Sequence, residues 1–169
     1  SSDLFDIIGD VHGGADELEL LLRKLGYVQD GYNWRHPQGR HVIFVGDLVD
    51  RGPRVVDALQ IAMAMCDAGN ALCVPGNHDV KFLHYLQGRR VKIQHGLEQT
   101  ISQIESTFTE TEQKEFKEKV IRFLDGLISH YVLDDGNLVV AHAGLKEELQ
   151  GRSSGAVRAF ALFGDTTGE

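Results

Sequence analysis

Cysteine is almost absent: Cys66 and Cys73 are the only two among 169 residues. That excludes a disulfide framework, which belongs to cysteine-dense chains of oxidising compartments. Cys66 falls in a helical pattern and Cys73 in a strand pattern, so both read as buried, reduced thiols. Basic residues are also scarce. Lys and Arg total 17 against 25 Asp and Glu, a formal net charge of −8, which argues against a broad nucleic-acid-binding face. No apolar run approaches the ~20 residues a membrane span needs, and no signal peptide is visible. A cytoplasmic protein is expected. No G-x-x-x-x-G-K-[ST] segment occurs, so this segment is not a phosphate-loop kinase. Internal repeats and low-complexity tracts are absent as well.

What remains is an ordinary globular composition, 42% hydrophobic and 25% charged, and the length suits one domain. Leu4 to Gly9, His41 to Val45 and Ala71 to Val74 are short apolar runs ending in turns, the signature of buried strands. Ala15 to Leu25 carries Leu18, Leu21, Leu22 and Leu25 on one helical face, with Gly26 as its stop. Tyr27 to Arg40 reads as a loop or small hairpin. Val55 to Asp67 is helical, opened by Pro53 and closed near Gly69. Lys81 to Leu86 begins another helix. From Arg89 to Ser129 the pattern changes to two amphipathic helices, the second opened by a Thr109–Glu112 capping box. This reads as a helical insert over one sheet edge. Tyr131 to Leu133 and Leu138 to Ala141 flank Asp134-Asp135-Gly136-Asn137, a hairpin signal. Strands alternating with helices, plus this hairpin, predict an α/β fold: mixed sheets flanked by helices. The chain opens Ser1-Ser2-Asp3 and stops at Gly168-Glu169 without a closing element, and is read as a piece of a longer polypeptide.

Four glycine-bordered segments carry the chemistry: GDVHG, GDLVDRGP, GNHD and LVVAHAG. Each follows an apolar run, and open α/β sheets bind ligands beyond the carboxyl ends of their strands. Together they offer Asp10, His12, Asp47, Asn77 and His142, a mix of hard oxygens and imidazoles that suits Mn, Fe, Ni or Zn. Asp10 and His12 are two apart, so in an extended segment both would reach one ion. Gly9 and Gly13 would allow the turn that presents them. Asp47 can bridge two metals. Two adjacent metals with a bridging hydroxide form a phosphoester hydrolase centre. They would also offset several carboxylates, so a nucleic-acid end remains an admissible substrate. His78 would be the general acid, Asp50 would fix its tautomer, and Arg51 would bind the substrate phosphate. Trp34, Tyr32, His36, His41, His84 and His95 read as packing, capping or surface residues. Arg152 and Arg158 read as substrate contacts or helix-surface residues. Glu110, Glu112, Glu115 and Glu118 read as a solvated helix face.

These motifs resemble the calcineurin-like metallophosphoesterase superfamily, on its phosphoprotein-phosphatase branch. The resemblance implies a first metal held by Asp10, His12 and Asp47. A second would be held by Asp47, Asn77, His142 and one histidine beyond the last residue of this chain. More narrowly, FDIIGDVHG, HPQGRHVIFVGDLVDRGP and AHAGLKEELQGRSSGAVRAFALFGDTTGE are similar to the central phosphatase domain of bacterial polynucleotide kinase-phosphatases. Gly14 stands where that family is expected to have cysteine. This narrower resemblance implies hydrolysis of 2′,3′-cyclic, 2′- and 3′-phosphates on RNA ends during RNA repair. It also implies kinase and ligase-like modules in the parent chain, and manganese as the favoured metal, with nickel, iron or zinc as alternatives. Dinucleoside tetraphosphate hydrolysis and protein serine/threonine dephosphorylation are alternatives on the same centre. A metal-stabilised interaction module is the non-enzymatic one.

Overall fold

A computed structural model describes residues 4–165; the first three residues and the last four, including Gly168-Glu169, lie outside the described residues. The chain runs through β1 (Phe5–Ile8), α1 (Ala15–Leu25), β2 (Val28–Asp30), β3 (Asn33–Arg35), β4 (His41–Phe44), α2 (Val55–Asp67) and β5 (Ala71–Cys73). It continues through α3 (Asn77–Leu86), α4 (Leu97–Thr107), α5 (Glu110–Asp125), β6 (His130–Leu133), β7 (Leu138–Ala141) and α6 (Gly155–Phe163).

β1, β4 and β5 form a parallel sheet with β4 in the middle. Side chains alternate across a strand, and β4 uses both faces. Val42 and Phe44 point into the main core with Leu18, Leu22, Val55 and Leu59 from α1 and α2. Ile43, between them, packs instead with Val74 and Val140. Burying each such side chain contributes roughly 1.5–3 kcal/mol. The antiparallel pair β6–β7 forms its own sheet and covers the second face. The strands are therefore divided between separate parallel and antiparallel sheets. Because the parallel strands run in one direction, the turns after β1, β4 and β5 share one end of the sheet.

Local signals explain most element boundaries. α1 ends where Gly26 adopts φ 93°, and carries Asp16 and Glu17 in its first turn with Arg23 and Lys24 in its last, matching the helix dipole. Leu21, expected on the buried face, is 39% exposed; Leu18 and Leu22 are the buried pair. Tyr27 to Arg40 contains the small hairpin β2–β3, and Trp34 on it is fully buried. The capping box of α5 is present, with Thr109 N–H donating to Glu112 and Glu112 N–H to Thr109 Oγ1. Both thiols are free; Cys73 is buried, and burial pushes the Cys66 thiol up to about 12. Among the described residues no helix is long and apolar enough to cross a membrane.

One boundary differs from expectation in a way that matters. α3 starts at Asn77, four residues before the sequence pattern placed it. Gly76 is extended, at φ −92° and ψ 171°, and caps the helix. Its N–H donates to Asp79, the third residue of the first turn, at 2.9 Å. Asn77 and His78 therefore sit in the first turn of a helix, not in an irregular loop.

Candidate metal centre

The turns after the three parallel strands are hydrogen-bonded to one another. His12 N–H donates to Asp47 C=O at 2.8 Å, Gly13 N–H to Leu48 C=O at 2.9 Å, and Arg54 N–H to Gly13 C=O at 2.9 Å. The third turn joins through Asp79, which is fully buried. Its carboxylate accepts the N–H groups of Asp47 at 2.7 Å, Leu48 at 2.9 Å and Gly76 at 2.9 Å. Burial pushes the Asp79 carboxyl up to about 6; the three amides pull the other way, and nearby Asp47 adds to the rise. In return Asp47 Oδ1 accepts the N–H of His78 at 3.0 Å. Glycine is needed where these backbones meet: a Cβ on Gly76 would lie 2.0 Å from Asp47 Oδ1.

The residues that carry the chemistry also carry the backbone strain. Asp10, His12, Asp47, Asp50 and Arg51 have φ of 50°, 41°, 53°, 71° and 68°. Left-handed conformations are uncommon for residues with a Cβ and persist where surrounding contacts enforce them. Asp10 and His12 therefore do not lie in an extended segment, as their spacing suggested: both have left-handed backbone. Asp10 groups with Asp47 and His142, whereas His12 groups with Asp47 and His78, each set having donor atoms within 4.8 Å of one another. Gly9 has no positive φ, and a Cβ there would meet only Val45 Cβ at 3.8 Å, an ordinary contact, so Gly13, at φ 66°, supplies the flexibility at this turn.

Two imidazoles define what the cluster can hold. His12 Nδ1 lies 2.7 Å from Val49 C=O, and His142 Nδ1 lies 2.7 Å from Val45 C=O. A carbonyl only accepts, so both Nδ1 atoms carry hydrogen. In the neutral imidazole, Nε2 then presents a lone pair. Both Nε2 atoms lie 3.5 Å from the same oxygen, Asp47 Oδ2, and His142 Nε2 lies 3.1 Å from Asn77 Oδ1. Lone pairs converging on lone pairs repel unless a cation lies among them. Pinning Nδ1–H to a carbonyl is also how proteins orient metal-ligating histidines. The donor set therefore fits divalent ions, with Asp47 common to both groups.

His78 is buried and its Nδ1 lies 2.6 Å from Asp50 Oδ2, with Asp50 fully buried. Its Nε2 faces Arg51 Nη2 at 3.3 Å. Asp50 and Arg51 thus engage both ring nitrogens of His78, which separates it from His12 and His142, whose Nε2 atoms converge on Asp47. The Asp50–His78–Arg51 arrangement suits proton donation beside a bound phosphate.

Other expectations fall as follows. His95 is exposed with φ 62°, so it is not a core contact. Glu110, Glu112, Glu115 and Glu118 are exposed along α5. Tyr32 donates its hydroxyl to Asp57 at 3.0 Å, and His36 Nε2 lies 3.1 Å from Leu25 C=O. Arg152 and Arg158 line a cavity of about 650 Å³ with His130 and Tyr131 that shares no residue with the cluster. The residues missed by the sequence reading are Asp79 and Thr100. Asp79 stands in GNHD at the position where an acidic side chain closes a capping box, and that was the available signal. Thr100 gave none, since its partner Asp50 lies 50 residues away.

Residues 4–163 match the calcineurin-like phosphoesterase family. The chain is 44% identical over 164 residues, 97% of its length, to a bis(5′-nucleosyl)-tetraphosphatase PrpE (asymmetrical) from Geobacillus thermodenitrificans, covering 66% of that protein. It is 38% identical over 165 residues, 98% of its length, to the protein of the same name from Bacillus subtilis, covering 67% of it. The chain thus spans about two thirds of the length of these relatives. A crystal structure described as that of a candidate diadenosine tetraphosphatase superposes with TM-score 0.55 at 26% identity, over 83% of this chain and 50% of that one. A protein serine/threonine phosphatase from Saccharomyces cerevisiae superposes with TM-score 0.63 at 18% identity, over 96% of this chain and 49% of that one; this likeness speaks for the fold alone. The expectation of an RNA-end repair phosphatase, drawn from the metal-centre motifs and the stretches that flank them, is overturned: relatives at 38–44% identity over nearly the whole chain are named tetraphosphatases. The metal-capable clusters around Asp47 and the match over residues 4–163 agree, and the chain belongs to the calcineurin-like phosphoesterase family, whose members are divalent-metal-dependent phosphoric ester hydrolases.

Proposed function

We propose that this chain carries the catalytic domain of an asymmetrically cleaving dinucleoside tetraphosphatase, working with two divalent metals of which manganese is the favoured ion. The observation that carries this reading is the 38–44% identity, over nearly the whole chain, to proteins named for that activity. Asp10, His12, Asp47, Asn77 and His142 would hold the metals. When bound, divalent metals supply Lewis-acid polarisation of the phosphoryl group and a lowered water pKa. Arg51 presents its fork to a phosphate of the polyphosphate chain. Water adds its oxygen to the terminal α-phosphorus and loses a proton to solvent, the anhydride P–O bond breaks, and His78 Nε2 gives its proton to the departing oxygen. Asp50, at His78 Nδ1, keeps the imidazolium aligned. Beside Asp10 a cavity of about 380 Å³, lined by Val11, Leu18, Leu21 and Pro53, offers an apolar wall to a nucleoside attached to that phosphate chain.

The test offers the manganese-loaded protein three substrates in parallel: diadenosine tetraphosphate, RNA ending in a 2′,3′-cyclic phosphate, and a serine phosphopeptide. The expected result is preference for the tetraphosphate, with ATP and AMP as products and loss of activity in EDTA. Preference for either other substrate, or release of ADP alone, contradicts the proposal.

A further inference from the structure

The Asp50–His78 pair does not end at Asp50. Thr100, on α4, is fully buried and directs both of its hydroxyl interactions to Asp50. Its Oγ1 donates to Asp50 Oδ1 at 2.7 Å and accepts the Asp50 N–H at 3.0 Å. Each carboxylate oxygen thus has its own partner, Oδ1 with Thr100 and Oδ2 with His78. A carboxylate held by one oxygen can rotate about its Cβ–Cγ bond; one held by both has a fixed plane. β-branching restricts the Thr100 rotamer, so the direction of the Oδ2 lone pair is set by a helix rather than by a loop.

α4 grips the rest of that turn too. Gln103, one helical turn on, donates to Gly52 C=O at 2.8 Å and accepts Val55 N–H at 2.7 Å. At the start of α4, Gly96 lies so close that a Cβ would sit 2.5 Å from Arg51 N and 2.9 Å from Asp50 Cβ. Asp50 and Arg51 both hold left-handed φ, and these contacts are what enforce it. The helical insert is therefore the template against which the turn carrying Asp50 and Arg51 is moulded.

We propose that Thr100 is a positioning residue for proton donation: its hydroxyl fixes the Asp50 carboxylate, which fixes His78. The inference rests on the reading of His78 as the proton donor. It does not depend on which phosphoester is the natural substrate.

The test compares Thr100→Val, which keeps the shape and removes the hydroxyl, with Thr100→Ser, which restores it. Rates are measured on aryl phosphates whose leaving groups range from p-nitrophenol to phenol, with His78→Ala as reference. Protonation matters most for the poorest leaving group. Thr100→Val should therefore lose about tenfold on phenyl phosphate, the scale typical of removing an orienting partner, and little on p-nitrophenyl phosphate. Thr100→Ser should recover most of the loss. A second readout needs no turnover. In the metal-free protein, the hydrogen-bonded His78 Nδ1–H should give a downfield NMR signal, absent in His78→Ala, retained in Thr100→Ser and broadened or lost in Thr100→Val. Should the valine variant not fold, Thr100→Ala carries the same comparison. Equal losses on all esters in Thr100→Val, with an unchanged His78 signal, overturn the proposal while leaving the His78 reading intact. Equal losses in His78→Ala overturn the His78 reading, and the catalytic role of Thr100 with it.

Discussion

Asp47→Ala should abolish binding of both divalent ions and lower phosphoesterase activity by about a thousandfold or more. The expectation follows from one atom. Asp47 Oδ2 lies 3.5 Å from His12 Nε2 and 3.5 Å from His142 Nε2, and Asp47 belongs to both metal-capable groups. Every other candidate ligand belongs to one group or neither, so its loss should weaken one ion and spare the other. Metal catalysis supplies several kcal/mol of transition-state stabilisation, and each 1.36 kcal/mol is a factor of ten in rate. Losing both ions therefore costs on the order of a thousandfold. Isothermal titration with manganese, beside activity and thermal unfolding, checks this. His142→Ala is the comparison and should weaken one ion rather than both. Retention of two ions by Asp47→Ala contradicts the bridging assignment.

Asp79→Ala should be the most destabilising single change at the site. No water reaches this side chain, and its removal strands the N–H groups of Asp47, Leu48 and Gly76. A buried unsatisfied donor costs roughly 1–3 kcal/mol. Three of them, partly offset by relief of the buried carboxylate, amount to about 4 kcal/mol, a large part of the stability of about 5–15 kcal/mol typical of a domain. Denaturant unfolding measures this directly; a loss below about 1 kcal/mol would mean the amides find other partners. The carboxyl also predicts a pH dependence with a definite sign. Its ordinary value of 3.8 is raised to about 6 by burial, so the folded state holds the proton after the unfolded chain has released it. The resulting stability is present below the unfolded value and is lost as pH rises through the folded one. In metal-free protein, wild type should therefore lose stability relative to Asp79→Asn between pH 3.8 and about 6. A flat difference across that window contradicts the raised value.

How much of this was legible depended on how local the signal was. α1 and α2 were placed to the residue because their ends carry local chemistry, such as the left-handed Gly26. α3 was not. Pro75-Gly76-Asn77 reads as turn punctuation, yet a glycine in extended conformation can cap a helix when a side chain three residues on accepts its N–H. The left-handed backbone at Asp10 and His12 was equally invisible. It is imposed by bonds such as His12 N–H to Asp47 C=O, which exist only once the turns meet. Asp10, Asp47, Asn77, His78 and His142 could be singled out because their types and glycine borders are themselves the signal. Only the bond from Gly76 to Asp79 had a local signal; the bonds of Asp79 to the Asp47 and Leu48 amides and of Thr100 to Asp50 join residues far apart in the chain, and nothing in their own neighbourhoods reports those partners. Substrate choice was least legible, because the motifs that build the centre are not the walls that receive the substrate.

Anomalous scattering from manganese-soaked crystals tests the central claim most directly. The account predicts two peaks, both bonded to Asp47, one on the His12 side and one on the side of Asn77 and His142, with His78 Nε2 bonded to neither. A single peak, two peaks that do not share Asp47, or a peak bonded to His78 Nε2 would contradict it.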